Sequence, residues 1–267
     1  MAAPMIAPNL LRRTTRGAVG ISIVIIAWEA MVRLFGISDF LLPAPSSIAQ
    51  RIIGDWRLLT QHLSITMLET ILGFAAAVLV GVVVAIIVTT SERTKDVVMP
   101  IVIATQLIPK VAVAPLVLLW FGYGISSKVV VAFLIAFFPI VIDMATGLTM
   151  VEKELVDLLR SLGAKRWKVF VKAQIPHSLP FLFSGMRIAV TLAVIGAIVG
   201  EFIGGSQGIG YLIVISTSEL KTDLVFACLM VLTAAGFVLF ALIGFLERLV
   251  VPWSAAEREE LMVITGM

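Results

Sequence analysis

The chain has 267 residues, 60% of them hydrophobic and 14% charged, with 20 Lys and Arg against 17 Asp and Glu. At a mean hydropathy of +1.10 it carries too little polar surface to cover a water-soluble globule, which predicts an integral membrane protein. One cysteine, Cys228, excludes an intrachain disulfide and a cysteine-built metal site, and His62 and His177 lie too far apart in sequence for zinc-site spacing.

Crossing about 30 Å of hydrocarbon takes roughly 20 helical residues, and six apolar runs reach that length. They are Gly17 to Phe35, Thr66 to Thr90, Val97 to Phe121, Val129 to Met150, Leu179 to Phe202, and Leu224 to Val251. Period-2 alternation is absent, so the expected fold class is an all-α membrane protein with six transmembrane helices. Residues 1–16 read as a cytoplasmic tail and 17–35 as the first transmembrane helix. Arg12, Arg13 and Arg16 precede that helix and no small-x-small cleavage site follows it, so the run reads as an anchor and not a signal peptide.

Residues 36–65 form a periplasmic loop in this reading. Pro43-Ala44-Pro45 opens it, and Ser46 or Ser47 is placed to cap a helix whose Ile48, Ile52, Trp56, Leu59 and Leu63 share one stripe. Two roles are open for this helix: filling the headgroup layer, or docking an extracytoplasmic partner. Residues 66–251 hold the remaining five helices, with a polar loop at 151–180. A cytoplasmic tail at 252–267 follows, where Pro252 ends the last helix and Ser254 to Glu257 fits a capping box.

Positive loops stay on the cytoplasmic side. With both termini inside, thirteen Lys and Arg fall on inner segments and five on outer ones, namely Arg33, Arg51, Arg57, Lys128 and Lys221. The mild basic balance is therefore a topology signal and gives no reason to expect nucleic acid.

Within the third run, Pro100, Pro109 and Pro115 each remove a helix hydrogen bond and permit a kink. Irregular backbone at membrane depth persists only when buried in protein or lining a wet cavity, so this run is a candidate pathway wall. Lys110 sits halfway along it, too deep to snorkel out, and should face a partner or water. Either it lines a wet pathway, where it favours an anion, or it is a structural lysine bonded to carbonyls freed by the prolines. Asp143 is its nearest acidic candidate, about 10 Å offset in depth, and fits better as a group orienting inner helix ends. Glu69 and Glu201 fall near the outer boundary and read as interfacial, as does the Glu29–Arg33 pair at i, i+4. The candidate pathway set is Pro109, Lys110, Pro115, Asp143 and Glu201. Gly185, Gly196 and Gly200 allow close helix approach in the fifth run, and Gly204, Gly205, Gly208 and Gly210 read as a flexible outer turn. That tract has neither the strand nor the Gly-Lys-Ser/Thr of a phosphate loop.

The polar island from Val151 to Pro180 carries six Lys or Arg and three Asp or Glu. Leu155, Leu158, Leu159 and Leu162 recur at i, i+3, i+4, i+7, which predicts a helix with one apolar face and with Glu152, Lys153, Asp157 and Arg160 elsewhere. Gly163 breaks this helix. A second amphipathic turn through Trp167, Phe170, Val171 and Gln174 is expected to stop before Pro176 and Pro180. Patterning alone leaves two readings, a handle for a cytoplasmic partner or a loop helix resting on membrane lipid headgroups.

Asp157-Leu158-Leu159, Gly163, Ala173 and Ile175-Pro176 reproduce the spacing of E-A-A-x3-G-x9-I-x-L-P, the cytoplasmic loop of ATP-binding-cassette importer permeases. The glycine and final proline match, while the other positions carry Asp, Leu, Leu, Ala and Ile. Three further stretches resemble the nitrate, sulfonate, taurine and bicarbonate branch: Ile108 to Pro115 leading to Leu119-Trp120-Phe121-Gly122, Arg160 to Ala164, and Gly200-Glu201-Phe202 with Gly208-Ile209-Gly210-Tyr211-Leu212. The resemblance covers Leu41 to Trp253.

The resemblance implies a type I importer permease fold, MetI-like, with Asp157, Leu158, Leu159, Arg160, Ser161, Leu162 and Gly163 as the coupling helix docked on an ATPase. Ala164, Lys165, Arg166 and Trp167 lie at its exit. It further implies a second copy of the chain as a homodimer, two ATP-binding ATPase subunits that hold ATP and Mg, and a periplasmic or lipid-anchored solute-binding protein. The chain itself is expected to bind no cofactor or metal and to catalyse nothing, having no phosphate-loop lysine motif. It is expected in a bacterial inner membrane, carrying a small anionic or heterocyclic solute. The rival is an autonomous secondary carrier or channel using Lys110, Asp143 and Glu69 as ion-coupling groups.

Overall fold

The computed structural model describes residues 7–253, and among them every regular element is a helix. In order they are α1 (Ala7–Leu34), α2 (Pro45–Gly54), α3 (Trp56–Thr89), α4 (Glu92–Thr105), α5 (Lys110–Phe121), α6 (Ile125–Thr149), α7 (Lys153–Ser161), α8 (Arg166–Val169), a π turn (Phe170–Gln174), α9 (Ile175–Gly204), α10 (Ile209–Ser218) and α11 (Thr222–Val250). The all-α membrane reading holds. Among the described residues, α3, α6, Arg166–Gly204 and α11 are long and apolar enough to span, and α4 with α5 makes a fifth span bent by 88°. The first predicted span falls on α1. The capping box at Ser254 to Glu257 lies outside the described residues.

Two compact units emerge, one reaching to Thr60 and including Leu212–Val231, the other comprising Gln61–Tyr211 and the residues from Leu232.

In the first unit, Glu29 organises the start of α2. Its carboxylate accepts from the Ser46 amide at 3.0 Å and the Ser46 hydroxyl at 2.8 Å while pairing with Arg33 at 2.6 Å. The predicted serine cap is therefore corrected: Ala44 is the N-cap, Pro45 opens the helix, and a distant carboxylate takes the orphan amide. The predicted stripe is also split. The helix stops at Gly54, Asp55 is its C-cap, and Trp56 begins α3. Ile48 and Leu59 are 2% and 0% exposed, so they pack against protein and do not face headgroups. Arg51 joins Asp55 at 2.9 Å and Asp223 at 3.4 Å, and the Thr222 hydroxyl donates to the Phe40 carbonyl at 2.7 Å.

The second unit is built on α6 against α9. Lipid tails are as apolar as leucine, so this contact depends on close packing, and small residues supply it. A Cβ on Gly196 would stand 2.6 Å from the Ala132 Cα, and one on Gly147 2.8 Å from the Ser178 Cα. Ala77 of α3, Ala136 and Ile140 of α6, and Ala189 and Ala193 of α9 form the common core. Val117 and Leu118 hold α5 to α6 through Val131 and Ile135.

Three prolines were candidates for breaking the third span, and only one does. Pro100 and Pro115 lie inside helices, whereas the chain turns at Pro109. Gln106, Leu107 and Ile108 each donate to the carbonyl three residues back, a 3₁₀-like tightening that ends α4, and Pro109 is the N-cap of α5, where its missing amide costs no intrahelical bond. The island differs as well: the helix entered at Arg166 does not stop before Pro176. The π turn widens the backbone just where the Pro176 ring would meet the carbonyl of Lys172 in α geometry, so the span continues to Gly204.

Candidate coupling surface and intramembrane charges

α7 carries the predicted apolar face outward. Leu155, Leu158 and Leu162 are 42%, 56% and 75% exposed, Leu159 is half-buried, and Trp167 is 70% exposed. Asp157 and Arg160 approach to 3.9 Å along the helix, both exposed, an ion pair worth little in water. The helix ends as its sequence requires. The Gly163 amide donates to Arg160 and the Ala164 amide to Leu159, both at 2.9 Å, and Gly163 takes a φ of +78° that only glycine adopts without strain. The Ser161 hydroxyl donates to the Leu158 carbonyl at 2.8 Å.

The exit of this elbow is fixed to the membrane-spanning core at two points. Arg166 donates to the Thr90 carbonyl at 2.7 Å, tying the elbow to the end of α3. Phe170 packs against Ala85, Met144, Ala145 and Leu148, so α3 and α6 grip the next turn, and Trp167 lies 5.8 Å from the Phe170 ring. His177, about two turns further on, donates from Nδ1 to the Gly147 carbonyl at 2.9 Å. Lys165 precedes α8 as its N-cap and is exposed. The exit of α7 is therefore attached to α3, α6 and α9 together.

The five candidate pathway residues do not form one site. Pro109 marks the bend, Pro115 lies within α5, and Lys110 opens α5 with its Nζ 4.3 Å from the centre of the Phe138 ring. This aromatic face, and not a proline-freed carbonyl, is the lysine's partner. Asp143 lies five residues beyond Phe138 against Gly185, where an added Cβ would meet its Oδ2 at 3.2 Å. It sits inside α6 and makes no ion pair with Lys110 within 4 Å. Phe133, Phe137 and Phe138 make a run of ring contacts at 5.5 and 5.2 Å on the same helix.

Glu201 belongs to a different constellation, and here two expectations are corrected. Glu69 and Glu201 are 2% and 1% exposed, so they are buried in protein and not interfacial. The Thr66 hydroxyl donates to Glu201 Oε1 at 2.7 Å and the Gly210 amide to Oε2 at 2.5 Å. The Ile209 amide donates to the Thr66 hydroxyl at 2.8 Å, and the Gly208 amide to His62 Nδ1 at 3.0 Å. The glycine tract is thus a cradle around a carboxylate and no flexible turn. Gly208 holds a φ of +103°, and its missing Cβ leaves the space that the Glu201 carboxylate fills.

Lys128, counted from sequence among outer-loop cations, is 4% exposed in the first turn of α6, where its Nζ donates to the Tyr123 carbonyl at 2.5 Å. Its stem fills the gap left by Gly200. Two carboxylates in separate apolar runs at similar outer depth, with a glycine tract just after one of them, were the available sign of this network.

Arg187, within the fifth apolar run, pairs with Glu247 of the last one, two charges far apart in sequence that no local pattern joins. The pair closes at 2.5 Å between α9 and α11, with the guanidinium beside Gly244 and 5.7 Å from the Phe240 ring. Removing one member of such a pair costs about 3–5 kcal/mol because the other charge stays buried. Arg187→Gln is accordingly expected to destabilise the purified protein by about 3 kcal/mol in an unfolding titration. A loss below about 0.5 kcal/mol, the range of ordinary surface substitutions, would show that the pair does not hold α11.

Residues 77–252 match the family described as binding-protein-dependent transport system inner membrane component. The chain belongs to this family. The permease is 36% identical over 231 residues to the formylaminopyrimidine transport permease protein ThiX of Halalkalibacterium halodurans, covering 86% of this chain and 92% of that one. It is 37% identical over 243 residues to the riboflavin transport system permease protein RibX of Chloroflexus aurantiacus, with 89% and 90% covered. A probable ABC transporter permease protein of Haemophilus influenzae is 34% identical over 226 residues, with 85% and 92% covered. Permeases named for aliphatic sulfonates, taurine and nitrate match as well. The family read from the loop spacing, and the branch read from the three further stretches, therefore hold for this permease.

Proposed function

We propose that this permease is the membrane half of an ATP-driven importer. Two copies pair about a two-fold axis, two ATPase subunits carrying ATP and Mg dock on the α7 elbows, and a solute-binding protein, free or lipid-anchored, delivers solute from outside. Both termini then lie in the cytoplasm. The observation that supports this best is the outward apolar face of α7, Leu155, Leu158 and Leu162, on a helix anchored at its exit by Arg166 and Phe170. An exposed apolar face on a firmly attached elbow suits a groove on a separate motor.

Transport is a shift between inward-open and outward-open populations. Moving such an equilibrium from 1:99 to 99:1 takes about 5.5 kcal/mol of differential binding, which nucleotide on the motor supplies and this chain relays. The solute is small, and its class is anionic or heterocyclic. ThiX and RibX favour the heterocycle by their names, the sulfonate, taurine and nitrate permeases the anion. Lys110 over Phe138, next to the Phe133–Phe137 rings, offers a cation and aromatic faces suited to either.

Lys110→Gln is expected to lower uptake about tenfold or more, equal to about 1.4 kcal/mol, while ATPase assembly and nucleotide hydrolysis stay intact. Unchanged uptake by reconstituted vesicles would assign Lys110 to scaffolding alone.

A further inference from the structure

The network around Glu201 holds more acid than its neighbours balance. Glu69 lies one helix turn beyond Thr66 on α3, where its carboxyl is in hydrogen-bonding contact with that of Glu201, and both residues are buried. The titratable groups around the pair come from each neighbouring element: His62 on α3, Tyr123 ahead of α6, Lys128 on α6, and Tyr211 on α10, whose ring stacks 6.1 Å from that of His62. His62 Nδ1 accepts from the Gly208 amide, so that nitrogen carries no proton and the ring adds no positive charge. Among the described residues Lys128 is therefore the one cation of the cluster. It makes no ion pair within 4 Å and acts on both carboxyls through its charge alone.

The two carboxyls are served differently. Glu201 accepts from the Thr66 hydroxyl and the Gly210 amide, which suits an ionised group. Glu69 has no such support: its Oε2 is buried and, among the described residues, has no hydrogen-bond partner. Two ionised carboxylates in contact only repel, because neither has a hydrogen to give, whereas one proton between them turns repulsion into a bond. We propose that Glu69 and Glu201 bind a single proton, carried on Glu69 and donated to Glu201, so that together with Lys128 the buried cluster is neutral. This proton joins α3 to α9 beside the Thr66–Glu201 bond. It belongs to the fold and does not depend on how transport is powered. A monovalent cation would neutralise the cluster equally well, and experiment separates the two.

The test uses the full-length permease in detergent at neutral pH, with glutamate isotope-labelled at the side-chain carboxyl. The infrared difference between labelled and unlabelled wild type should contain the C=O stretch of one protonated glutamic acid per chain. Glu69→Gln, whose amide donates to Glu201 in the proton's place, should lose this band and keep its unfolding midpoint within about 2 °C of wild type. Glu201→Gln should remove or shift the band. Absence of a label-sensitive acid band in the wild type overturns the proposal without recourse to any variant. A band that persists in Glu69→Gln, or stays unshifted in Glu201→Gln, belongs to another contact and overturns it too. So does a wild-type midpoint raised by sodium chloride over choline chloride with no acid band present, which places a cation where the proton is proposed.

Discussion

Leu158→Asp combined with Leu162→Asp is expected to release the ATPase subunits from the purified complex and to abolish uptake. These side chains are 56% and 75% exposed, so the permease buries little of them internally and should fold normally with Asp in their place. In a docked state they would be anchors in a desolvated groove, where each truncation typically costs about 2 kcal/mol or more, and a buried unpaired carboxylate adds to that. Two such losses weaken association by roughly a thousandfold. Leu158→Met, which keeps volume and polarity, should retain the partner. Co-purification with a tagged ATPase reads the effect directly. Full retention of the ATPase by the double Asp variant would mean that α7 is an ordinary headgroup-resting loop.

The second large effect is expected at the outer network. Glu201→Leu removes the acceptor for the Thr66 hydroxyl and the Gly210 amide and leaves Glu69 buried beside an apolar side chain. Breaking a buried polar network in this way costs about 3–5 kcal/mol. Gly208→Ala should be comparably harmful for two reasons. It forces a Cβ into a φ of +103°, and it drives that Cβ into the Glu201 carboxylate. Glu201→Gln keeps an acceptor for Gly210, and its amide can donate to Thr66, so it should lose less than about 1.5 kcal/mol. Unfolding of the purified permease, followed by Trp fluorescence, ranks the three. Equal stability of Glu201→Leu and wild type would show that the glycine tract holds its shape without the carboxylate.

These two sites differ in how far the sequence discloses them. The coupling elbow is local. Its apolar period and terminating glycine lie within Leu155 to Gly163 and its loop spacing ends at Pro176, so periodicity and turn chemistry predict both the helix and its outward face. The outer network is not local. Thr66 and Glu201 are brought together only when α3 packs beside α9, and the carboxylate then organises Gly208 to Gly210, a tract that by composition alone reads as flexible. Lys128 shows the same limit. Charge counting assigns it to an outer loop, and only the gap left by Gly200 on α9 explains how its stem is buried.

The apolar spans were legible from length, but the route of the chain through them was not. Three prolines share one run, and the bend of 88° falls at Pro109 because the preceding three residues tighten into 3₁₀-like bonds. Pro176, expected to end a helix, is instead carried through by the π turn from Phe170 to Gln174. Neither outcome follows from the residue types alone, since proline removes one hydrogen bond in each setting and the neighbouring backbone decides what replaces it.

Solute accumulation in sealed proteoliposomes discriminates most directly between a relayed push and autonomous transport. Vesicles holding the permease with its ATPase subunits, ATP inside the motor compartment and the solute-binding protein on the opposite face should concentrate solute. Vesicles holding the permease alone, or carrying Leu158→Asp with Leu162→Asp, should not. Accumulation by the permease alone at the rate of the full assembly would contradict a motor-driven elbow and establish an ion-coupled carrier in its place.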